Sequence, residues 1–451
     1  MKLVDPAGEM LEQSWEAYAT LLANCSTTDE LIAGYQQIAE SLHINVTAPA
    51  SVVYARDTRP SGPELVTALQ TGLEAYGDIV KTNDLGVQTT PILHYVVKAV
   101  NDKTGEYGTP TVEGYYEKLA TAFKTLIGNR KLEPLYVDCA NGVGAIALQD
   151  FAKHCDVLPF KALNTDTEKP GALNYQCGAD YVKTKQALPP SIAESGILTK
   201  PNTRAASFDG DKIAVLSALF IGDLVNLAKL GDKIQVGVVQ TAYANGSSTK
   251  FIKSRNIPVS CTPTGVKHLH HAAQRYDVGV YFEANGHGTV LFSPEAVSTL
   301  KSAQPSSPDE ANAIKYLLAL GDLINQAVGD ALSDLLLVEV VLAYRGFTAT
   351  EWDSSYEDLP NRLVKVEVPD RSIFTTTDAE RKLTSPAGLQ ARIDEACKKV
   401  DLGRSFVRPS GTEDCVRVYA EASTTSAADG LAVTVSELVK EAAANVAAKA
   451  A

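Results

Sequence analysis

Hydrophobic and polar positions along this chain follow two periods, and the switches between them outline its elements. Apolar residues recur at helical spacing from Glu9 to Ala23, which predicts a helix. Residues 51–55, Ser-Val-Val-Tyr-Ala, predict a strand. It runs into Arg56-Asp57-Thr58-Arg59-Pro60-Ser61-Gly62, a turn that sets Ser61 to cap the next helix. A further helix is predicted from about Ile92, after Thr89-Thr90-Pro91. Strand 135–137 then opens onto the polar loop 138–145 and a helix. Strands 236–239 and 278–282 open onto the loops 240–248 and 283–288. This recurrence of strand, polar loop and helix predicts parallel βαβ layers. The end of the chain differs. Strands at 363–368, 404–407 and 416–422 precede an Ala- and Val-rich helix from about Ser426, which predicts a small α+β domain. Pro and Ser residues within 302–312 predict a surface loop or helix start.

With 451 residues the chain is too long for one ordinary core. The expected divisions are 1–128, 129–212, 213–354 and 355–451. Hydrophobic residues at 45% and charged residues at 21% match a soluble globular protein. No apolar run reaches the roughly 18 residues that a membrane span needs. The first residues carry no apolar signal core, so secretion is not expected. Seven cysteines stand singly with no CxxC pair, which argues for a reducing, cytoplasmic setting and against a zinc site. A net charge of −13 disfavours nucleic acid and anionic membrane as partners. An anionic substrate therefore needs a local basic patch. Basic residues gather at 267–271 and at Arg404, Arg408 and Arg417.

Four polar loops hold the candidate chemistry. Arg408-Pro409-Ser410-Gly411-Thr412-Glu413-Asp414, with Arg417 beyond it, combines forked cations, hydroxyls and a glycine that admits close approach, which suits a phosphate. A surface turn with an Arg–Glu pair would use the same composition. Thr264-Gly265-Val266-Lys267-His268 offers Lys267 and His268 as phosphate contacts. Glu283-Ala284-Asn285-Gly286-His287-Gly288 offers a carboxylate and an amide, a pair suited to neighbouring sugar hydroxyls. Ser207-Phe208-Asp209-Gly210-Asp211 is either a carboxylate cluster for a hard cation, through Asp209 and Asp211, or an Asx turn.

In order and wording these loops resemble the α-D-phosphohexomutases, and among them the eukaryotic phosphoacetylglucosamine mutases. The matching pieces are 56–61, 138–145, 207–211, 240–248, 264–271, 283–288 and 408–417, and they cover essentially the whole chain. The resemblance implies α/β domains around a central cleft with a C-terminal α+β domain. It also implies interconversion of N-acetylglucosamine 6-phosphate and 1-phosphate, an intramolecular phosphotransfer, on the route to UDP-N-acetylglucosamine. In the family a phospho-serine donates its phosphoryl group and Mg2+ polarises it. A Glu/Asn loop holds the sugar, which maps to Glu283, Ala284 and Asn285. An Arg-Pro-Ser-Gly-Thr loop grips the non-reacting phosphate, which maps to Arg408, Pro409, Ser410, Gly411, Thr412 and Arg417.

Two family features lack a counterpart in this sequence. The serine's Thr-Ala-Ser-His-Asn-Pro stretch would lie ahead of Lys2-Leu3-Val4-Asp5-Pro6, and no Ser-His dipeptide occurs in the 451 residues. Where the family has Asp-Gly-Asp-Ala-Asp-Arg and, further on, Asp-Gly-Asp-Lys-Ile, this chain has a single Asp209-Gly210-Asp211-Lys212-Ile213. Two readings stay open at this stage: a mutase represented by an incomplete gene model or splice form, or a sugar-phosphate binder without turnover. The 451 residues alone are expected to show little mutase activity, and a version carrying both stretches is expected to be active.

Overall fold

The computed structural model describes residues 6–169, 171–185, 187–194, 209–411 and 413–450. They form two compact units, residues 1–56 with 60–86, and residues 57–59 with 87–451.

In the smaller unit, helix Pro6–Ala23 is followed by helix Thr28–Ser41. The second helix starts at a capping box. Thr27 accepts from the Glu30 amide, and the Glu30 carboxylate accepts from the Thr27 amide at 3.2 Å. The Tyr18 hydroxyl meets Ser41 Oγ at 2.8 Å and ties the pair together. Strand β1 (Ala50–Arg56) pairs with β2 (Val80–Val87). Helix Gly62–Glu74 reaches β1 through Gln70, whose amide donates to the Tyr54 hydroxyl at 3.0 Å. Ser61 does precede this helix, but its hydroxyl makes no cap bond. Its own backbone is already helical (φ −72°, ψ −16°), which turns the side chain away from the first free N–H groups.

In the larger unit, β3 (Leu135–Asp138) and β4 (Phe160–Leu163) run parallel. A second sheet has the order β6-β5-β7-β8, formed by β5 (Val236–Thr241), β6 (Val259–Thr262), β7 (Val278–Phe282) and β8 (Gly288–Phe292). The first three are parallel, as expected, and β5 and β7 are buried along their whole length. The fourth departs from the expected pattern: the 283–288 loop leads to an antiparallel strand rather than to a helix. Gly286 at φ +88° supplies the left-handed turn residue, and the Gly286 amide donates to the Glu283 carbonyl at 2.8 Å.

The C-terminal strands are β9 (Asn361–Glu367), β10 (Thr375–Thr377), β11 (Lys382–Ser385), β12 (Arg404–Pro409) and β13 (Cys415–Glu421). β10 and β11 form a hairpin. The others make an antiparallel sheet of order β12-β13-β9. Alternation gives this sheet two faces. Val366, Val407, Val416, Val418 and Ala420 bury one face against helices Leu389–Lys398 and Thr425–Ala450. The other face carries Arg404, Phe406 and Arg408 opposite Glu421, Tyr419 and Arg417.

That second face meets the loop after β5. Phe406 and Tyr419 stack at 5.2 Å and pack on Ala242 and Tyr243. Beside them Arg404 Nε donates to Glu421 Oε1 at 2.8 Å. Its Nη atoms donate to the Ala242 and Ala244 carbonyls at 2.9 and 2.6 Å. Glu421 is 1% exposed and also accepts from the Gly246 amide and the Tyr419 hydroxyl. A Cβ at Gly246 would collide with this carboxylate.

Helix Ala331–Arg345 is capped by buried Asp330, which also accepts from the Tyr115 hydroxyl at 2.7 Å. One turn along, Asp334 is buried with Oδ1 unpartnered among the described residues. Burial pushes its carboxyl well above the ordinary range, and the nearby Asp330 charge adds to the effect. No helix among the described residues is long and apolar enough to cross a membrane, and all seven cysteines are free thiols.

Two outcomes follow from these buried charges. Arg404→Ala strands Glu421 and two carbonyls, and should cost about 3–5 kcal/mol in urea denaturation, with faster amide exchange in β13. Asp334→Asn should raise the thermal midpoint at pH 7. The folded state favours the protonated acid, so stability falls as pH rises from the ordinary carboxylate range up through the raised value of the folded state. The advantage of the variant should therefore shrink toward pH 4.

Candidate active site

The phosphate-type loop is carried by the β12–β13 turn. Arg408 and Arg417 are direct cross-strand neighbours, and Lys365 on β9 lies opposite Arg417. Three cations thus form one row across the sheet. Lys365 escaped the sequence reading, because nothing in Arg-Leu-Val-Lys-Val-Glu reveals which strand it will neighbour. The expected Arg–Glu pair is present too: Arg417 Nη2 lies 3.4 Å and Lys365 Nζ 3.2 Å from Glu413 Oε2. Lys365, with Arg417 adding, holds the exposed Glu413 carboxyl below its ordinary range. The Ser410 hydroxyl accepts from the Glu413 amide at 3.3 Å, which closes the turn. No Cβ contact restricts Gly411. Thr412 lies outside the described residues.

Arg408 is held from another direction. Its Nε lies 3.2 Å from Glu380 Oε1, on the turn between β10 and β11. The Tyr243 phenol packs beside it. Burial raises the Tyr243 pKa, and the Arg408 charge opposes that rise. Glu380 Oε2 accepts from Thr264, from its amide at 2.8 Å and its hydroxyl at 2.5 Å. Glu380 was also missed from sequence, since a lone Glu in Asp-Ala-Glu-Arg carries no motif.

Thr264 leads into helix Val266–Ala273 through Gly265, whose φ of +124° suits only glycine. The Gly265 amide donates to Glu283 Oε1 at 3.2 Å. Lys267 and His268 sit exposed in the first turn of this helix, beside the same loop. His270 is half-buried against the Tyr281 hydroxyl at 3.0 Å, and His271 is exposed; both lie in the last turn of this helix. Asn285 is exposed at the hairpin tip, its Oδ1 accepting from the His287 amide at 3.1 Å. The structure therefore brings Arg408, Thr264, Gly265 and Glu283 into one continuous chain of contacts.

The metal-loop candidates belong to the same neighbourhood. Asp209 caps helix Gly210–Leu227, accepting from the amides of Asp211 and Lys212 in the Asx geometry that the sequence left open. Asp211 is 2% exposed, and its Oδ2 accepts from the Asn245 amide at 2.8 Å. The Gly210 amide donates to the Ala284 carbonyl, and a Cβ at Gly210 would overlap the Glu283 carbonyl oxygen. Lys212 is buried, with Nζ donating to the Asp353 and Tyr356 carbonyls at 2.8 and 2.5 Å. It anchors the link to the C-terminal sheet. Among the described residues no group of three or more His, Cys, Asp or Glu could hold a metal ion. Ser207 lies outside the described residues.

A cavity of about 1190 Å³ is bordered by Lys98, Tyr107, Lys118 and His270. Lys118 is already paired with Asp322 at 3.0 Å.

Comparison with known proteins gives a consistent answer. Residues 209–347 match the family profile "Phosphoacetylglucosamine mutase AMG1, domain III". Residues 107–216 match domain II of the same family, and residues 363–438 match "Phosphoglucomutase/phosphomannomutase, C-terminal domain". The phosphoacetylglucosamine mutase of Candida albicans is 46% identical, over 98% of this chain and 86% of its own length. That of Homo sapiens is 46% identical, over 97% and 83%. These alignments run to 484 and 464 positions, so within the matched span the relatives carry positions that this chain lacks. A solved Aspergillus fumigatus N-acetylphosphoglucosamine mutase superposes with a TM-score of 0.87 at 49% identity, covering 98% of this chain and 85% of that one. A Burkholderia thailandensis phosphoglucomutase/phosphomannomutase family protein, 14% identical with a TM-score of 0.53, shares the fold. On this combined footing, the chain belongs to the phosphoacetylglucosamine mutase family of the α-D-phosphohexomutases.

Proposed function

We propose that this chain carries the sugar-phosphate site of a phosphoacetylglucosamine mutase, which interconverts N-acetylglucosamine 6-phosphate and 1-phosphate when the phospho-serine stretch and the full aspartate loop are present. The observation that carries the site assignment is the contact chain Arg408–Glu380–Thr264 and Gly265–Glu283. It ties the cation row to the carboxylate–amide turn, the two functions that a sugar phosphate requires. The same proposal keeps the divisions 1–128, 129–212, 213–354 and 355–451.

In this reading Arg408 and Arg417 grip the non-reacting phosphate, with Pro409, Ser410, Gly411 and Thr412 shaping the loop. A charge-assisted bond of that kind contributes roughly 1.5–3 kcal/mol. Lys365 adds positive potential at the end of the row. Glu283 and Asn285, with Ala284 between them, read the sugar hydroxyls. A carboxylate and an amide can accept from and donate to neighbouring hydroxyls, whereas the phosphate grip is blind to the sugar. Lys267 and His268 are further phosphate contacts in this reading. The reading makes the partner a small sugar phosphate in the cytoplasm, with no nucleic-acid or membrane partner, and the net charge of −13 supports it.

Magnesium is the family's ion, and a related Aspergillus fumigatus structure is a complex with GlcNAc-6P and magnesium. The described residues fit it incompletely. Asp209 and Asp211 are the two carboxylates at hand, and both already accept backbone amides. The proposed grip on the substrate does not depend on the ion.

Three measurements test the proposal. Arg417→Ala should weaken sugar-phosphate binding about tenfold or more by calorimetry, in line with one lost charge-assisted bond. Unchanged affinity would remove this loop from the site. Asn285→Ala should erode binding of N-acetylglucosamine 6-phosphate and spare inorganic phosphate, and parallel loss of both would contradict the division of labour. For the activity itself, a chain carrying the Ser-His-Asn-Pro stretch and the full aspartate loop should convert N-acetylglucosamine 6-phosphate, given magnesium and a sugar bisphosphate. No product formation by that protein would overturn the functional reading.

A further inference from the structure

Glu380 engages donors that an oxyanion would seek. Its Oε2 takes the Thr264 amide and hydroxyl at 2.8 and 2.5 Å, and its Oε1 faces Arg408 Nε at 3.2 Å. Two carboxylate oxygens thus occupy positions suited to two oxygens of a phosphate. The fit to arginine is imperfect. Arg408 Nε is buried and close enough for ion pairing, yet it makes no hydrogen bond of acceptable geometry. Glu380 also sits on an uncommon backbone: Asp378, Ala379 and Glu380 all adopt left-handed φ values, at +53°, +54° and +67°. A run of three such non-glycine residues is disfavoured and persists where surrounding contacts hold it. Those contacts are Glu380 on Thr264 and Arg408, and Arg381 on Asp378 at 2.5 Å.

We propose that Thr264 and Arg408 form a phosphate cradle whose access Glu380 controls, its carboxylate competing with the substrate phosphate for the same donors. The inference rests on the reading of Arg408 as a phosphate-binding residue and adds Thr264 to the binding set. A phosphate dianion and a carboxylate cannot share these donors without strong repulsion. Phosphate entry therefore requires the β10–β11 turn to swing Glu380 away. Observed affinity is then reduced by the fraction of molecules in which Glu380 holds the cradle. Thr264 would also link the phosphate site to the sugar site, because its neighbour Gly265 contacts Glu283.

The test uses inorganic phosphate as probe, with Glu380→Gln and Glu380→Ala compared to the unmodified chain by calorimetry. The Gln variant keeps an acceptor for Thr264 and removes the charge, so it guards against a folding defect in the Ala variant. Both should bind phosphate more tightly, by about threefold to tenfold for a cradle that Glu380 holds most of the time. Hydrogen exchange supplies a second readout: phosphate should speed exchange in residues 377–382 of the unmodified chain as the turn lets go. Equal or weaker phosphate affinity in a folded Gln variant would overturn the proposal and leave Glu380 as a residue that orients Arg408. If the unmodified chain and both variants all bind neither phosphate nor sugar phosphate, the assignment of Arg408 to the site itself fails.

Discussion

The arrangement of this site depends on one ion pair, formed by a half-buried arginine and a fully buried glutamate. Arg404 and Glu421 face each other across β12 and β13, and each is satisfied by further partners. Buried charges tolerate no loose geometry, because any unmet donor or acceptor costs its full desolvation. The Arg404 guanidinium therefore fixes the three-stranded sheet against the Ala242–Ala244 carbonyls. Everything further along those strands inherits that position. Arg408 lies four residues on and on the same face, about 13 Å away at the usual strand rise. The Arg404–Glu421 pair thus fixes the alignment, and the cation row is what it aligns.

Between the two ends of this face sits the apolar contact of Phe406, Tyr419 and Tyr243. It excludes water from the ion pair on one side and borders Arg408 on the other. The same strand pair thus serves structure and chemistry by alternating along its length. Arg404 does not belong to the proposed phosphate grip, although it stands in the same basic cluster of the sequence. Its charge is consumed by Glu421, whereas Arg408 and Arg417 face carboxylates that are less completely buried.

A second weld is steric. Gly210 lies against the Glu283 carbonyl so closely that a side chain would not fit, and its amide donates to Ala284. This joins the start of the long helix Gly210–Leu227 to the turn proposed to read the sugar. Asp211 extends the joint through the Asn245 amide, and Asn245 pairs in turn with both backbone groups of Leu359. Asp209, Asp211 and Lys212 are therefore occupied with holding elements together, whatever ion the family uses nearby.

Much of this was legible in the sequence, because some signals are local. Strand alternation in Cys415–Glu421, the Gly-rich turns and the Arg-Pro-Ser-Gly loop are properties of neighbours in the chain, and short-range physics reads them directly. The central strand β7 and the first four residues of β5 announce themselves as apolar runs. The direction of β8 was not legible. A six-residue polar loop can lead to a helix or turn back as a hairpin, and packing on the sheet edge decides which. Lys365 and Glu380 were invisible for a related reason. Each gains its meaning from a partner far along the chain, Lys365 from Arg417 and Glu380 from Thr264 and Arg408. Sequence by itself determined the seven strands that stand out as apolar or alternating runs, the loops that are candidates for phosphate and sugar chemistry, and the family the chain resembles. Only the tertiary structure decided which carboxylate each cation meets, Glu421 for Arg404, Glu380 for Arg408 and Glu413 for Arg417 and Lys365, because charge pairing is settled by proximity in space and burial rather than by spacing along the chain.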